Sequence, residues 1–167
     1  MSINSGTVLI STPAMDDPNF RQAVLLITEY NTAGAMGFIM NKPFPRKFNE
    51  LVEFRHCAAF PLFEGGPVDQ EHLFFIHRCP DLIQEGIPVD ASVYSGGNFK
   101  QAVAHINQHS PAEQDLKLLI GYCGWDTGEL ETEIKEGFWQ IAPCSPDLLF
   151  SDTKTLWHTL YINKVQP

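Results

Sequence analysis

Apolar positions along this chain fall into two rhythms. Short, nearly continuous runs bounded by Pro, Gly or Asn read as β-strands: residues 6–12 (GTVLIST), 23–30 (AVLLITEY) and 35–41 (AMGFIMN). The second and third flank NTAG at 31–34, which reads as a hairpin connection, and Pro43 stops the returning strand. Between the first two lies MDDPNF (15–20), where Asp17-Pro18 favours a turn. Further strands are predicted over 61–68, breaking at Gly65-Gly66-Pro67, and over 72–78, 116–122 and 138–143, with short strands and turns over 80–97.

Helical spacing appears elsewhere. Residues 47–54 place Phe48, Leu51 and Val52 on one side, and 98–109 place Phe99, Ala102, Val103 and Ile106 on one face, with Asn98 as its cap and Ser110-Pro111 as its end. Residues 126–137 open with Asp126 followed by Glu129, a capping-box pattern, and end at Gly137. A last helix is predicted over 153–162. Strands arrive both in hairpins and in βα units, without repeats or a dividing linker. The expected fold is a single α+β domain over residues 1–167 with a mixed, mainly antiparallel sheet.

Composition narrows the function. With 44% hydrophobic and 19% charged residues the chain is expected to fold. A formal net charge of -9 counts against non-specific binding to nucleic acid or acidic membranes. The best basic run, Lys42, Arg46 and Lys47, is short. No signal peptide and no stretch of membrane-spanning length is seen, so the expectation is a cytoplasmic protein away from membranes. Cys57, Cys79, Cys123 and Cys144 are spread without a C-x-x-C and are expected as reduced thiols.

Candidate chemistry is sparse. His105 and His109 lie four apart on a predicted helix, a spacing that suits two metal ligands, but no glutamate sits between them as a metalloprotease helix needs. The last turn of a helix also suits a histidine through the helix dipole. His72 and His77 are expected on opposite faces of their strand. Cys123 stands where a strand meets a helix, yet GYCGW lacks the second glycine of a nucleophile elbow, and Asp126 adds opposing charge; the reading is a small buried thiol. Gly65-Gly66 and Gly96-Gly97 match no phosphate or dinucleotide motif and read as tight turns needing positive φ, so no cofactor is expected. On the helix after 128, Leu130 and Ile134 define the apolar face, while Glu129, Glu133 and Glu136 read as its solvated side. Glu131 falls at the edge of the apolar stripe, where partial desolvation demands a partner.

An ordered set of segments carries a family signal: GTVLISTPAMDDPNF, AGAMGFIMNKP, FEGGPV, LFFIH, GYCGWDTGELETEI, FW, and LLF before a tryptophan-bearing final helix. From about Gly6 to Trp157 the chain resembles the YqgE/AlgH family of largely uncharacterised bacterial proteins. The pattern carries onto Pro13, Met15, Asp17, Pro18, Phe20, Gly34, Met36, Gly37, Asn41 and Pro43. It continues onto Gly65, Gly66, Pro67, Val68, His77, Gly121, Tyr122, Gly124, Trp125, Gly128, Leu130 and Glu131. Lys42 stands where the family usually has arginine, and Cys123 where a small residue is usual, so a family-wide mechanism would not depend on that thiol. The resemblance implies an α+β fold with a partly barrel-like sheet flanked by helices and no helix-turn-helix. Its name implies a link to regulation of alginate synthesis, sometimes phrased as transcriptional regulator, which is an association and not a mechanism.

Three functions compete. The first is a non-enzymatic regulatory or interaction protein whose site, for a small molecule or a protein partner, gathers Asp17, Asn41, Gly65, Gly66, Trp125 and Glu131 at one end of the sheet. The second is a hydrolase or lyase with Glu131 as acid or base. The third is a DNA-binding regulator using Lys42, Arg46 and Lys47.

Overall fold

The computed structural model describes residues 2–108, 112–151 and 154–165. Its strands are β1 (Val8–Ser11), β2 (Val24–Asn31), β3 (Gly34–Ile39), β4 (Pro43–Lys47), β5 (Pro61–Glu64), β6 (Val68–His77), β7 (Ile87–Pro88), β8 (Tyr94–Ser95), β9 (Leu116–Asp126) and β10 (Trp139–Ile141). The helices are α1 (Phe99–Gln108), α2 (Glu129–Lys135), α3 (Pro146–Ser151) and α4 (Leu156–Val165). The sheet runs β10-β1-β2-β3-β9-β6-β8-β7, with β5 joined to β9 and β4 to β5. It is mixed and mainly antiparallel, since β5 lies parallel to β9 while the other pairings run antiparallel. The sheet stays open, and no barrel closes.

Side chains alternate across this sheet, which explains why its strands read as nearly unbroken apolar runs: both faces are covered. Val8, Ile10, Val24, Leu26, Phe38 and Met40 enter one core with α3 and α4, through Leu149, Phe150, Leu156 and Leu160. Their neighbours Leu9, Leu25, Ile27 and Ile39 enter another with Leu130 of α2. A third core packs Ala102 and Ile106 of α1 against Leu62, Phe75, Leu116 and Leu118. Trp157 ties α4 to β1 by donating its indole N–H to the Ser11 carbonyl at 2.8 Å.

The central strand is longer than the pattern indicates. β9 reaches Asp126 because Cys123–Asp126 pair with β3 after Leu118–Ile120 have paired with β5 and β6. Gly121 makes this possible. At φ +74° it sits in the left-handed region, and the alternation slips by one: Leu119 and Tyr122 share one core, while Cys123 and Trp125 join the opposite side. Trp125 is therefore a strand residue and not part of a turn.

Other expectations change for local reasons. Residues 47–54 form no α-helix: β4 extends through Lys47, and two single 3-10 turns follow, Phe48–Glu50 and Val52–Phe54. The segment is too short to propagate a helix after the extended backbone set by Pro43 and Pro45. Asp126 does not cap α2, because it is paired to Gly34 in the sheet; Gly128 at φ +82° is the N-cap and lends no side chain. The final helix starts at Leu156, and α3 precedes it unpredicted, although Ser145 before Pro146 is a capping signal: its Oγ accepts from Leu148 N–H at 3.2 Å.

Candidate functional site

The six expected site residues divide between opposite ends of the β2–β3 hairpin. Glu131 accepts a hydrogen bond from Tyr30 Oη, and Tyr30 pairs with Ala35 at the start of β3. Asn41 follows the far end of that strand. The intervening backbone spans about 20 Å at the usual rise per residue. The single gathered site is thus corrected to two separate places.

At the Asn41 end, three turns enclose a cleft of about 230 Å³. Pro18 and Asn19 form one wall, Ile39 and Lys42 a second, and Glu64, Gly66 and Pro67 a third. Asp17 shapes the first wall: its Oδ1 accepts from Asn19 N–H at 2.9 Å and caps the 3-10 turn Pro18–Phe20. Asn41 itself does not line the cleft. Its Oδ1 accepts from Val24 N–H at 2.8 Å and its Nδ2 donates to Gln22 O at 2.9 Å, so it braces the chain entering β2. Its neighbour Lys42 supplies the cation, donating to the Arg21 carbonyl. Burial lowers the Lys42 pKa, against the opposing pull of Glu64, and Arg21 adds to the lowering. Glu64 accepts from Gln70 Nε2 at 3.2 Å, and the same amide donates to Gly66 O at 3.0 Å.

Gly65 and Gly66 are glycines for closeness of approach, not for positive φ, which corrects the tight-turn reading. Gly65 stitches β3 to β9, accepting from Ile39 N–H at 2.8 Å and donating to Ile120 O at 2.7 Å. A Cβ at Gly66 would stand 2.2 Å from the Tyr122 carbonyl, and one at Gly65 2.4 Å from the Gly121 carbonyl. Beneath this turn Cys123 is 1% exposed, and its thiol donates toward Gly65 O at 3.5 Å. Burial pushes its pKa up to about 12, which leaves an unreactive thiol.

At the other end the carboxylates hold structure. Glu133, expected on the solvated side, accepts from the indoles of Trp139 at 2.9 Å and Trp125 at 3.1 Å. Glu131, expected at the edge of the core, is exposed. The depressions on this end are shallow, and Glu131 lines neither the one along Thr127–Glu133 nor the one along Glu29–Met36. Phe20 connects the two ends: its ring stands 6.4 Å from that of Trp125 and 5.4 Å from that of Trp139. The loop that walls the cleft therefore rests on the tryptophan cluster.

Of the expected histidine pair, His109 lies outside the described residues. His105 is buried on the last turn of α1, with Nε2 3.8 Å from Cys79 Sγ and 3.7 Å from Asp115 Oδ2. The run Lys42, Arg46, Lys47 forms no continuous basic surface, because Lys42 turns into the cleft while Arg46 and Lys47 are exposed on β4. A buried lysine escaped notice in the sequence. Lys117, 2% exposed on β9, donates to Met40 O at 2.5 Å and lies 4.4 Å from the Phe63 ring centre. Burial lowers its pKa to about 7, with Cys144 opposing. Among the described residues, no helix is long and apolar enough to cross a membrane.

Comparison with known proteins places this geometry. The family model described as AlgH-like matches residues 8–164. A UPF0301 protein of Bacteroides thetaiotaomicron is 33% identical over 154 residues, covering 91% of this chain and 78% of the relative. One from Chlorobium chlorochromatii is 33% identical over 156 residues, covering 93% and 83%. The solution structure of the AlgH protein from Pseudomonas aeruginosa superposes with a TM-score of 0.76 at 24% identity, over 98% of this chain and 89% of that one. A crystal structure of a Corynebacterium diphtheriae protein gives 0.76 at 19% identity, over 100% and 89%. At these identities the two structures share the fold.

Proposed function

Because the chain belongs to the AlgH-like family, whose name specifies no reaction, we propose from the geometry that it is a non-enzymatic regulatory protein that binds a small ligand in the Lys42–Glu64 cleft. The observation that carries this reading is the half-buried Lys42 beside Glu64 in a cleft of about 230 Å³. Its walls come from the same segments on which the family resemblance rests: Asp17-Pro18, the turn through Asn41 and Pro43, and Gly65-Gly66-Pro67. An ammonium next to a carboxylate suits a ligand carrying an anionic group and a hydrogen-bond donor, as an amino-acid-sized zwitterion does. Pro18, Ile39 and Pro67 provide the apolar walls.

Several features support binding over turnover. Cys123 lies buried beneath the cleft instead of opening into it. Glu131 is exposed at the opposite end, without the desolvation that acid–base work requires. Arg46 and Lys47 stand apart from Lys42, which weighs against duplex recognition.

The test is a thermal-shift screen of amino acids, small carboxylates and phosphates, repeated on Lys42→Met and Glu64→Gln. Tryptophan fluorescence serves as a second readout, since Phe20 joins the cleft wall to Trp125 and Trp139. A ligand that raises the melting temperature of the native chain and not of the variants supports the site. A ligand that stabilises all three chains equally, or no ligand at all, overturns it.

A further inference from the structure

We propose that Cys79, His105 and Asp115 form a site for a thiophilic divalent metal ion, of which Zn²⁺ is the representative. The three side chains come from separate parts of the chain: Cys79 follows β6, His105 lies on the last turn of α1, and Asp115 immediately precedes β9. Their ligand atoms all lie within 4.8 Å of one another. His105 Nε2 is 3.8 Å from Cys79 Sγ and 3.7 Å from Asp115 Oδ2. Tetrahedral zinc with its usual bonds of about 2.0–2.3 Å separates such ligands by roughly 3.3–3.6 Å. A few tenths of an ångström of movement brings the sulfur and the carboxylate to those distances from Nε2. The largest adjustment falls to Asp115, whose side chain is 48% exposed and turns with little resistance.

The direction of approach distinguishes this cluster from a nucleophile relay. In a cysteine–histidine–aspartate relay the thiol and the carboxylate engage opposite ring nitrogens. Here both approach Nε2, so the three groups converge on one point. Thiolate, imidazole and carboxylate together carry two negative charges, which balance a dication. A sulfur and a nitrogen donor select zinc-like ions over Mg²⁺ or Ca²⁺.

The cluster is also held in place before any ion arrives. Arg78 N–H donates to Asp115 O at 2.8 Å, and Asp115 N–H to Ala112 O at 2.9 Å. Cys79 N–H donates to His77 Nδ1 at 3.1 Å. His105 is positioned by Ala102 and Ile106, which anchor α1 in its core at 0% and 4% exposure. Three protein ligands leave the fourth position of a tetrahedral ion open, for water or for a donor from outside the chain. Binding would clamp α1 to the end of β6 and the start of β9.

The test uses the reduced, metal-free full chain. After equilibration with Zn²⁺ and dialysis, elemental analysis should find one ion per chain. Co²⁺ in its place should give a near-ultraviolet thiolate-to-cobalt band and intense tetrahedral visible bands. Cys79→Ser should abolish the thiolate band, whereas Cys57→Ser should retain it. Asp115→Asn, at a half-exposed position that spares the fold, should weaken zinc at least by the roughly 10–100-fold that losing an outer-shell partner costs. Zinc should raise the melting temperature of the native chain and not of Cys79→Ser. Substoichiometric zinc, a cobalt spectrum without the thiolate band, or native affinity in Asp115→Asn overturns the proposal.

Discussion

Glu133 Oε1 accepts the indole proton of Trp139 at 2.9 Å, and the same oxygen accepts that of Trp125 at 3.1 Å. One carboxylate oxygen thus satisfies two indoles, on β9 and β10, that are 7% and 1% exposed. Glu133→Ala should leave both N–H groups without their acceptor and cost about 2–6 kcal/mol, given roughly 1–3 kcal/mol for each buried donor left unmade. Glu133→Gln keeps a carbonyl acceptor and should cost less. Urea denaturation followed by tryptophan emission measures both. Equal stability of Glu133→Ala and the native chain would contradict the role assigned to these bonds. Glu131→Gln, at an exposed position, should leave the midpoint close to native.

Lys117 should make stability depend on pH. Burial lowers its folded pKa from 10.5 to about 7, so between those values the folded chain holds a neutral amine and the unfolded chain an ammonium. The unfolded state then binds more protons, and stability rises with pH across that window. Below it both states are charged and the cost of burying the ammonium is present in full. Lys117→Met should remove this rise, so its advantage over the native chain shrinks from pH 6.5 to pH 9. Paired urea midpoints at those two values measure the difference. Parallel profiles for the two chains would mean that Lys117 does not titrate in the window.

Gly66 and Gly96 should separate crowding from conformation. A Cβ at Gly66 meets the Tyr122 backbone at 2.2 Å, whereas one at Gly96 meets nothing within 4 Å but sits at φ +68°. Gly96→Ala should cost about 1–2 kcal/mol, the strain of a left-handed alanine. Gly66→Ala should cost more, because a backbone neighbour must move, and should also disturb the cleft. Thermal melts of the two variants give the ranking.

Cys123 should resist alkylation in the folded chain, with its thiol pushed up to about 12 beneath the Gly65 carbonyl. Iodoacetamide followed by peptide mass mapping should label Cys123 in urea and not in native buffer. Cys123→Ala should keep ligand-induced stabilisation at the cleft while losing about 1 kcal/mol of packing. Rapid native labelling at Cys123 would overturn the assignment of an inert thiol.

How much of this was legible depended on how local each cause is. The hairpin 24–39 and the first strand were legible because their apolar runs and the intervening turn residues act within a few positions. Helix α1 was legible because Ala102 and Ile106 keep a helical period that its core requires. The helix expected over 47–54 was not borne out: apolar residues there pack as single 3-10 turns, and Phe48 reaches the core without a helix.

The acids of α2 show the limit most sharply. The 3.6-residue period places Glu131 and Glu133 at about equal angles on either flank of the Leu130–Ile134 stripe. The period therefore gives no ground for placing Glu131 at the edge of the core and Glu133 on the solvated side, and that reading is corrected. Two tryptophans, on β9 and β10, stand on the Glu133 side, and those strands, separated in the sheet by β1, β2 and β3, lie next to α2 only after the chain has folded.

By itself, then, the sequence determined the α+β class, the family and most strand positions, because periodicity, turn chemistry and ordered motifs are properties of adjacent residues. The tertiary structure alone decided which side chains meet. It separated Asn41 from Glu131, turned Lys42 to face Glu64, and brought Cys79, His105 and Asp115 together from distant positions. The reason is that strand order and helix docking set those distances, and neither is written in any local stretch of the chain.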